Sequence, residues 1–478
     1  MPFDEERKGD PFPYDFPDRP GHEPYAQLEL RLQRQVIELA QRRYEPATRH
    51  QLIRLLQRRR QPEYQPQQGA AGPQPGNFTR FDSLLVEEGF DTLLVHGEIL
   101  VAGQDYDGRP VPAPRRRPDQ YARRYLDELG MEASEVECED LHGRIVRLTN
   151  PHMSARELAE VARVLRTRGF AASVSNITPT SPVGKAIGGP LPTAPAAAYQ
   201  DDPGPGEPAR VAVIDTGITN EIRGDNWLDD VHVPRGGNID LLDVFPLPGG
   251  DGLLDFDAGH GTFVTGIIQQ IAPNAHIQVY RALDPDGIAS EVTVACEMIR
   301  AVKDGADILN LSLGCQTLDD LPPIAISAAL DVIREVERRE GREVIIVAAA
   351  GNFGDTRPCW PAAFRRVVSA AALAPDMQPS PWSSRGFWVT CATIGQGVCS
   401  TYVQGQESAL VDPDPNVFGP DSWAAWNGTS FAAPQIAGAL ARLHEKYQYP
   451  YREALVRLLA AGRPIPEFGQ TLKILPGI

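Results

Sequence analysis

The chain contains no run of about 18 apolar residues, so no segment has the length and character of a transmembrane helix. Basic charge is scarce: 46 Lys and Arg stand against 63 Asp and Glu, and the formal net charge of -17 argues against nucleic acid as the main partner. The six cysteines, Cys138, Cys296, Cys315, Cys359, Cys391 and Cys399, form no CxxC pair and no zinc-type spacing. Reduced thiols are expected: Cys391 and Cys399 could meet across a hairpin, but Cys391 lies in an apolar run and buried free cysteine is common. The opening residues MPFDEERKGDPFPYDFPDRP lack the apolar stretch of a secretory signal. If Met1 is the true start, a cytoplasmic location follows.

What is present is enough chain for two or three domains: 478 residues exceed the size at which single cores stop growing. Residues 1–78 combine a charged, Pro-rich start with two Arg- and Leu-rich stretches, LELRLQRQVIELAQRR and TRHQLIRLLQRRR, whose spacing predicts two amphipathic helices. Their arginines are either a docking surface for a regulatory partner or, as charge runs on helices usually are, a solvated face. QPQQGAAGPQPGN then reads as a linker.

Residues 79–181 change to the order strand, helix, strand, strand, helix, strand. The pieces are TLLVHGEILVA, PDQYARRYLDELG, SEVECEDL, RIVRLT, SARELAEVARVLRTRG and AASVSNIT, with a capping box from Ser154 to Glu157. This order predicts a ferredoxin-like α+β domain. Residues 182–209 are rich in Pro, Gly and Ala without a hydrophobic period and read as an exposed connector, the natural place for cleavage. From 210 to 478, short apolar strands such as VAVID, DILNLSLG and EVIIVAAAGN alternate with helical stretches. That pattern predicts an α/β domain of three layers around a mainly parallel sheet.

Three residues in this last domain are placed for chemistry. Asp215 ends the strand VAVID at the sheet edge where α/β sites gather, His260 sits among glycines in DAGHGTFVTGII, and Ser430 precedes an Ala- and Gly-rich helix in WNGTSFAAPQIAGALARL. A histidine titrates near neutrality, and a serine at a helix start lies near unpaired amides. Singly, each has a plainer reading as a turn aspartate, a core histidine or an N-cap.

Together the segments VAVIDTG, GHGTFVTGI and NGTSFAAPQIAGAL, in that order, resemble the motifs of subtilases, the subtilisin-like serine peptidases, over about residues 210–478. The resemblance implies a serine endopeptidase acting on peptides through an acyl-enzyme, with Asp215, His260 and Ser430 as its triad and Asn352 as oxyanion donor. Leu311, Ser312, Leu313 and Gly314, with Gly287 to Ser290, would flank the substrate; Ala349, Ala350 and Gly351 would line the primary pocket. Glu291 is either a residue of a more distant subsite or a solvated loop carboxylate. No cofactor is required for the chemistry. Calcium, which many relatives bind, is suggested by DNWLDDVHV and LLDFDAG, yet neither run has a defined ligand spacing, so no metal ligand is assigned. Two departures from the family are Phe263, where a second histidine is frequent, and ATIGQG in place of Ala-Pro-Gly. The alternative is a catalytically silent peptide-binding pseudoprotease.

By position and element order, residues 79–181 resemble the inhibitory propeptide upstream of many subtilases. If so, NITPTSP would lie over the catalytic sheet and block the cleft until the connector is cut or a partner acts on residues 1–78.

Overall fold

The structure, a computed structural model, describes residues 23–42, 46–61, 78–87, 90–102, 120–180, 188–196, 198, 204–231, 233, 236–246, 249–410 and 414–477. The linker expected at QPQQGAAGPQPGN lies outside them.

Two helices come first, α1 (Glu23–Arg42) and α2 (Pro46–Arg59). A five-stranded antiparallel sheet follows, built from β1 (Phe81–Glu87), β2 (Phe90–Ala102), β3 (Glu132–Ser134), β4 (Ile145–Thr149) and β5 (Ala172–Asn176), with α3 (Gln120–Glu128) and α4 (Ala155–Thr167) between strands. The long β2 pairs with β1, β4 and β5, and β3 pairs with β4. Strand alternation sends Ile99 toward Leu158, Val161, Ala162 and Leu165 of α4, and Leu100 to the opposite face. α4 starts on the capping box read from the sequence: Glu157 N donates to Ser154 Oγ, and Ser154 N donates to Glu157 Oε2 at 2.8 Å.

Two expectations are corrected here. Phe81–Glu87 is a strand that was not foreseen, and SEVECEDL is no strand beyond Ser134: Glu139–Leu141 is a 3-10 turn. Val136, Cys138 and Leu141 are buried in the side of another domain, so their alternation records burial without ladder pairing.

The main sheet has eight strands. In sequence they are β7 (Arg210–Asp215), β8 (His276–Arg281), β9 (Ile308–Leu311), β10 (Ile345–Ala349), β11 (Val367–Leu373), β12 (Cys391–Ile394), β17 (Arg463–Ile465) and β18 (Gly469–Thr471). They lie in the order β17-β18-β12-β11-β10-β9-β7-β8, and every neighbouring pair is parallel except β17 with β18. Strand alternation feeds two cores. Val211, Val213 and Val347 meet α5 (His260–Ile271) and α8 (Ala433–Tyr447) on one face, where α9 (Tyr451–Ala460) also packs. Ala212, Ile214, Ile346 and Ala348 meet α6 (Glu291–Lys303) and α7 (Ile324–Glu340) on the other. Burial on both faces is why these strands read as continuous apolar runs.

α6 and α7 serve two domains. Their outer sides, with Val292, Ala295, Ile299, Ala325, Ala329 and Val332, share a core with Leu100 and Ile145 of the antiparallel sheet and with Val136 and Leu141 of the segment between β3 and β4. The connector is likewise more than exposed chain. β6 (Leu191–Thr193) pairs with β16 (Trp423–Trp426), which also pairs with β13 (Val398–Thr401), and Leu191 is buried. A ribbon of β14 (Gly405–Gln406) and β15 (Val417–Phe418) completes the strands.

Candidate active site

The end of β7, the start of α5 and the turn before α8 converge at the C-terminal edge of the parallel sheet. Asp215 is the last residue of β7, His260 the first of α5, and Ser430 lies in the 3-10 turn Thr429–Phe431. Gly259, at φ 82°, makes the turn into α5; a Cβ there would meet Tyr402 and Val403 at 2.8 Å. Asp215 Oδ1 lies 2.7 Å from His260 Nδ1 and also accepts from Thr216 N at 2.8 Å. The adjoining Thr216 hydroxyl donates to Asp240 Oδ2 and accepts from Gly261 N, tying the aspartate turn to the first turn of α5. Burial works against the charged imidazole, but Asp215, Asp257 and Asp240 outweigh it and hold His260 above its usual pKa. Burial in turn pushes Asp240 up to about 6.

Ser430 is fully buried, and its hydroxyl faces the carbonyls of Ser312 at 3.1 Å and Thr180 at 3.3 Å. His260 Nε2 is buried with no hydrogen-bond partner among the described residues. An apolar wall closes the far side. Phe431 and Trp426 rings lie 5.5 and 5.7 Å from the imidazole, and Phe263, the departure noted in the sequence, packs tilted against Phe431 with ring centres 4.6 Å apart.

Asn352 Oδ1 accepts from both Thr429 N and Thr429 Oγ1 at 2.9 Å, which fixes the amide orientation and leaves Nδ2 as its donor beside the Ser430 turn. The residues read as substrate-binding divide by role. Gly314 N donates to Pro179 O at 2.9 Å, and Ser312 Oγ donates to Ser430 O at 2.7 Å, so these two border the cleft. Leu311 and Leu313 point into the α6–α7 core. Ala349, Ala350 and Gly351 are buried, and a Cβ at either Gly314 or Gly351 would stand 2.7 Å from Cys359 Sγ. Cys359 is thus a wall of this region that sequence reasoning missed.

The cleft holds the chain's own segment. Thr178 N donates to Ala289 O at 2.9 Å and Thr180 N to Gly287 O at 3.1 Å, and Ile177 bridges Ser290 antiparallel. With Gly314 on its other side, residues 177–180 lie as a strand between the two edges read as substrate-binding. The Gly188 carbonyl accepts from Trp426 Nε1 at 2.6 Å, and the chain runs on from there into β6.

Glu291 corrects both of its expected readings. It neither faces a subsite nor lies solvated: it is the fully buried first residue of α6 and accepts from Asn176 N, Asn176 Nδ2 and Ala325 N at 2.7 to 2.8 Å. Burial pushes its carboxyl up to about 7. One carboxylate therefore joins β5 to the first turn of α7.

The N-terminal helices cover both ends of this segment. Leu28 and Leu32 of α1 pack with Leu191, Cys399 and Ala425, while Ile53 and Leu56 of α2 pack with Phe81, Leu93, Ile177, Phe256 and Ile288. Arg59 donates to Asp255 Oδ1 at 2.6 Å, and Arg60 reaches both Asp284 oxygens at 2.6 and 2.9 Å and Asp286 at 3.3 Å. Both arginines are buried, so this part of the basic cluster is not the solvated face that charge runs usually form. Of the acids considered for calcium, Asp255 is taken by Arg59 and by Val244 and Phe245 amides, Asp257 by Thr180, and Asp225 by Arg223.

Comparison with known proteins bears on the fold and the family. The profile of the Subtilase family matches residues 206–460. The thermophilic serine proteinase of Bacillus sp. (strain AK1) is 27% identical over 251 residues, 49% of this chain and 51% of that protein. Thermitase of Thermoactinomyces vulgaris is 26% identical over 251 residues, 49% of this chain and 74% of its own length. The chain thus spans about half the length of the first of these relatives. Fervidolysin from Fervidobacterium pennivorans, described as a keratinolytic enzyme related to subtilisin, superposes with a TM-score of 0.51 at 18% identity, covering 80% of this chain and 60% of its own. Fold and family profile lead to one conclusion: the chain belongs to the subtilase family.

Proposed function

We propose that this protein is a serine endopeptidase whose cleft is held closed by its own N-terminal region. The observation that carries the proposal is the meeting, at one sheet edge, of a buried Asp215–His260 pair, Ser430 and an extended peptide strand. In the reaction, Ser430 Oγ attacks the scissile carbonyl as its proton passes to His260 Nε2; the imidazolium gives that proton to the amine that leaves as the peptide bond breaks, and water, deprotonated by Nε2, then hydrolyses the acyl-enzyme and restores Ser430. Asp215, bonded to Nδ1, sets the tautomer that leaves Nε2 as the base and stabilises the imidazolium. Asn352 Nδ2 and the Ser430 amide would receive the oxyanion. The chemistry so proposed draws on side chains and backbone amides of the chain itself.

Restraint is the reading for residues 177–180. They take the place of a substrate strand, with Thr180 O sharing the Ser430 hydroxyl with Ser312 O, and β5, Glu291 and the two arginines of the α2 end anchor them. Cleavage within 182–209, or a partner that draws residues 1–78 off the Asp284 edge, would free the cleft.

Fluorophosphonate labelling followed by peptide mapping tests the proposal. The adduct is expected on Ser430, absent from Ser430→Ala, and formed faster once the connector is cut. Failure of Ser430 to label after that cut would favour the catalytically silent peptide-binding alternative.

A further inference from the structure

One carboxylate beside the cleft is neither nucleophile, base, base partner nor oxyanion donor in the proposed reaction. Asp257 lies three residues before the start of α5, and its main chain is fixed on both sides: its N–H donates to Pro285 O at 2.8 Å and its carbonyl accepts from His260 N at 3.1 Å. Its side chain is turned to the strand in the cleft, where Thr180 Oγ1 donates to Asp257 Oδ2 at 2.5 Å. Both residues are buried, at 2% and 4% exposure. Gly287 roofs the pair closely. A Cβ on it would stand 2.3 Å from Asp257 Oδ2 and 2.4 Å from Thr180 Oγ1, so the space suits a short hydroxyl side chain. The same Thr180 donates its amide to Gly287 O and brings its carbonyl 3.3 Å from Ser430 Oγ, so the residue read by Asp257 sits directly at the nucleophile.

We propose that Asp257 is a specificity-determining residue, selecting peptides that carry threonine or serine where Thr180 lies. This rests on the reading of residues 177–180 as the occupant of a peptidase cleft. A buried carboxylate facing an apolar side chain loses a charge-assisted bond and regains no water, so the site discriminates against the hydroxyl-free isostere. Charge adds a second effect, since Asp257 also helps to hold His260 above its usual pKa. Absolute rates therefore mix two roles of Asp257, and the ratio between hydroxyl and isostere isolates the one proposed.

The test keeps the full chain. Thr180→Val retains the shape of threonine and removes its donor. Fluorophosphonate labelling of Ser430 is expected to accelerate about ten- to a hundredfold in Thr180→Val, to stay near wild type in Thr180→Ser, and to respond less to valine when Asp257→Asn is also present. Selectivity is then read by binding alone, in the chain carrying Thr180→Val and Ser430→Ala, with fluorescein-labelled peptides of sequence NITPTS and NITPVS followed by anisotropy. The threonine peptide is expected to bind at least about tenfold more tightly, and the ratio to fall toward one with Asp257→Asn. If that variant fails to fold, the ratio in the chain that retains Asp257 still decides. Equal affinity for the two peptides, binding of neither at millimolar concentration, or a ratio unmoved in folded Asp257→Asn overturns the proposal. No Ser430 labelling in any chain would instead refute the nucleophile and leave the binding ratio readable.

Discussion

Arg60→Met is the perturbation that asks most of the structure. The Arg60 side chain is 4% exposed, forks onto both oxygens of Asp284, reaches Asp286, and lies 4.4 Å from the Phe245 ring centre. Methionine keeps the apolar contact and removes the cation, leaving Asp284 and Asp286 buried without it. Breaking a buried pair from one side costs about 3 to 5 kcal/mol, a large share of the roughly 5 to 15 kcal/mol that holds a domain folded. The loss falls on the loop from Asp284 to Ser290, whose carbonyls at Gly287 and Ala289 receive the strand in the cleft. We therefore expect Arg60→Met to lower the first unfolding midpoint in urea and to raise the Ser430 labelling rate together.

The pH dependence gives an independent check. Burial already raises Asp284 above its usual range, and without Arg60 its folded pKa climbs further above the unfolded one. A carboxyl with a raised folded pKa costs least below its unfolded pKa, and the cost grows as pH rises toward the folded value. The deficit of Arg60→Met should thus be smallest near pH 4 and largest at neutrality, and Asp284→Asn with Asp286→Asn should recover part of it. A variant within about 1 kcal/mol of wild type at pH 7 would place this pair with surface ion pairs and refute the reasoning.

Other outcomes follow from the same geometry. Asn352→Ala should lower kcat about a hundred- to a thousandfold, roughly 2.7 to 4 kcal/mol, with little change in KM, when peptide hydrolysis is measured after the connector is cut. Because His260 is held above the usual imidazole pKa, kcat/KM should rise with pH on a limb centred above 6.5, and Asp240→Asn should move that limb downward in a pH–rate profile. Glu291→Gln replaces an acceptor of three N–H donors with a group that presents its own NH2; faster Ser430 labelling and a lower melting temperature are expected, and an unchanged pair of values would contradict the anchoring role. Gly351→Ala sets a Cβ at φ 97° and 2.7 Å from Cys359 Sγ, so calorimetry should show a loss of about 1 to 3 kcal/mol.

Residues that act through their own local context were legible in the sequence. Asp215 ends an apolar strand, His260 stands among glycines that permit the turn into α5, and Ser430 precedes a small-residue helix with Pro434 in its first turn; each property is a matter of a few neighbouring residues. The three-layer domain was legible for the same reason, since a strand buried on both faces must be apolar throughout. The sequence also pointed to residues 176–182 as a cover for the cleft, through resemblance and position.

What local sequence does not encode is which distant group meets which. Glu291 reads as a loop carboxylate until Asn176, 115 residues away, supplies its donors. Arg59 and Arg60 belong to a run that looks solvated, and only folding brings Asp255, Asp284 and Asp286 to them across about 200 residues of chain. Asp257 and Cys359 gain their meaning from glycines elsewhere that let another segment approach. The sequence by itself determined the strands, the glycine turns and the chemical identities at the sheet edge. The tertiary structure alone decided which distant groups anchor that covering segment at the edge, because buried charges and extended backbones are satisfied by partners that sequence proximity does not supply.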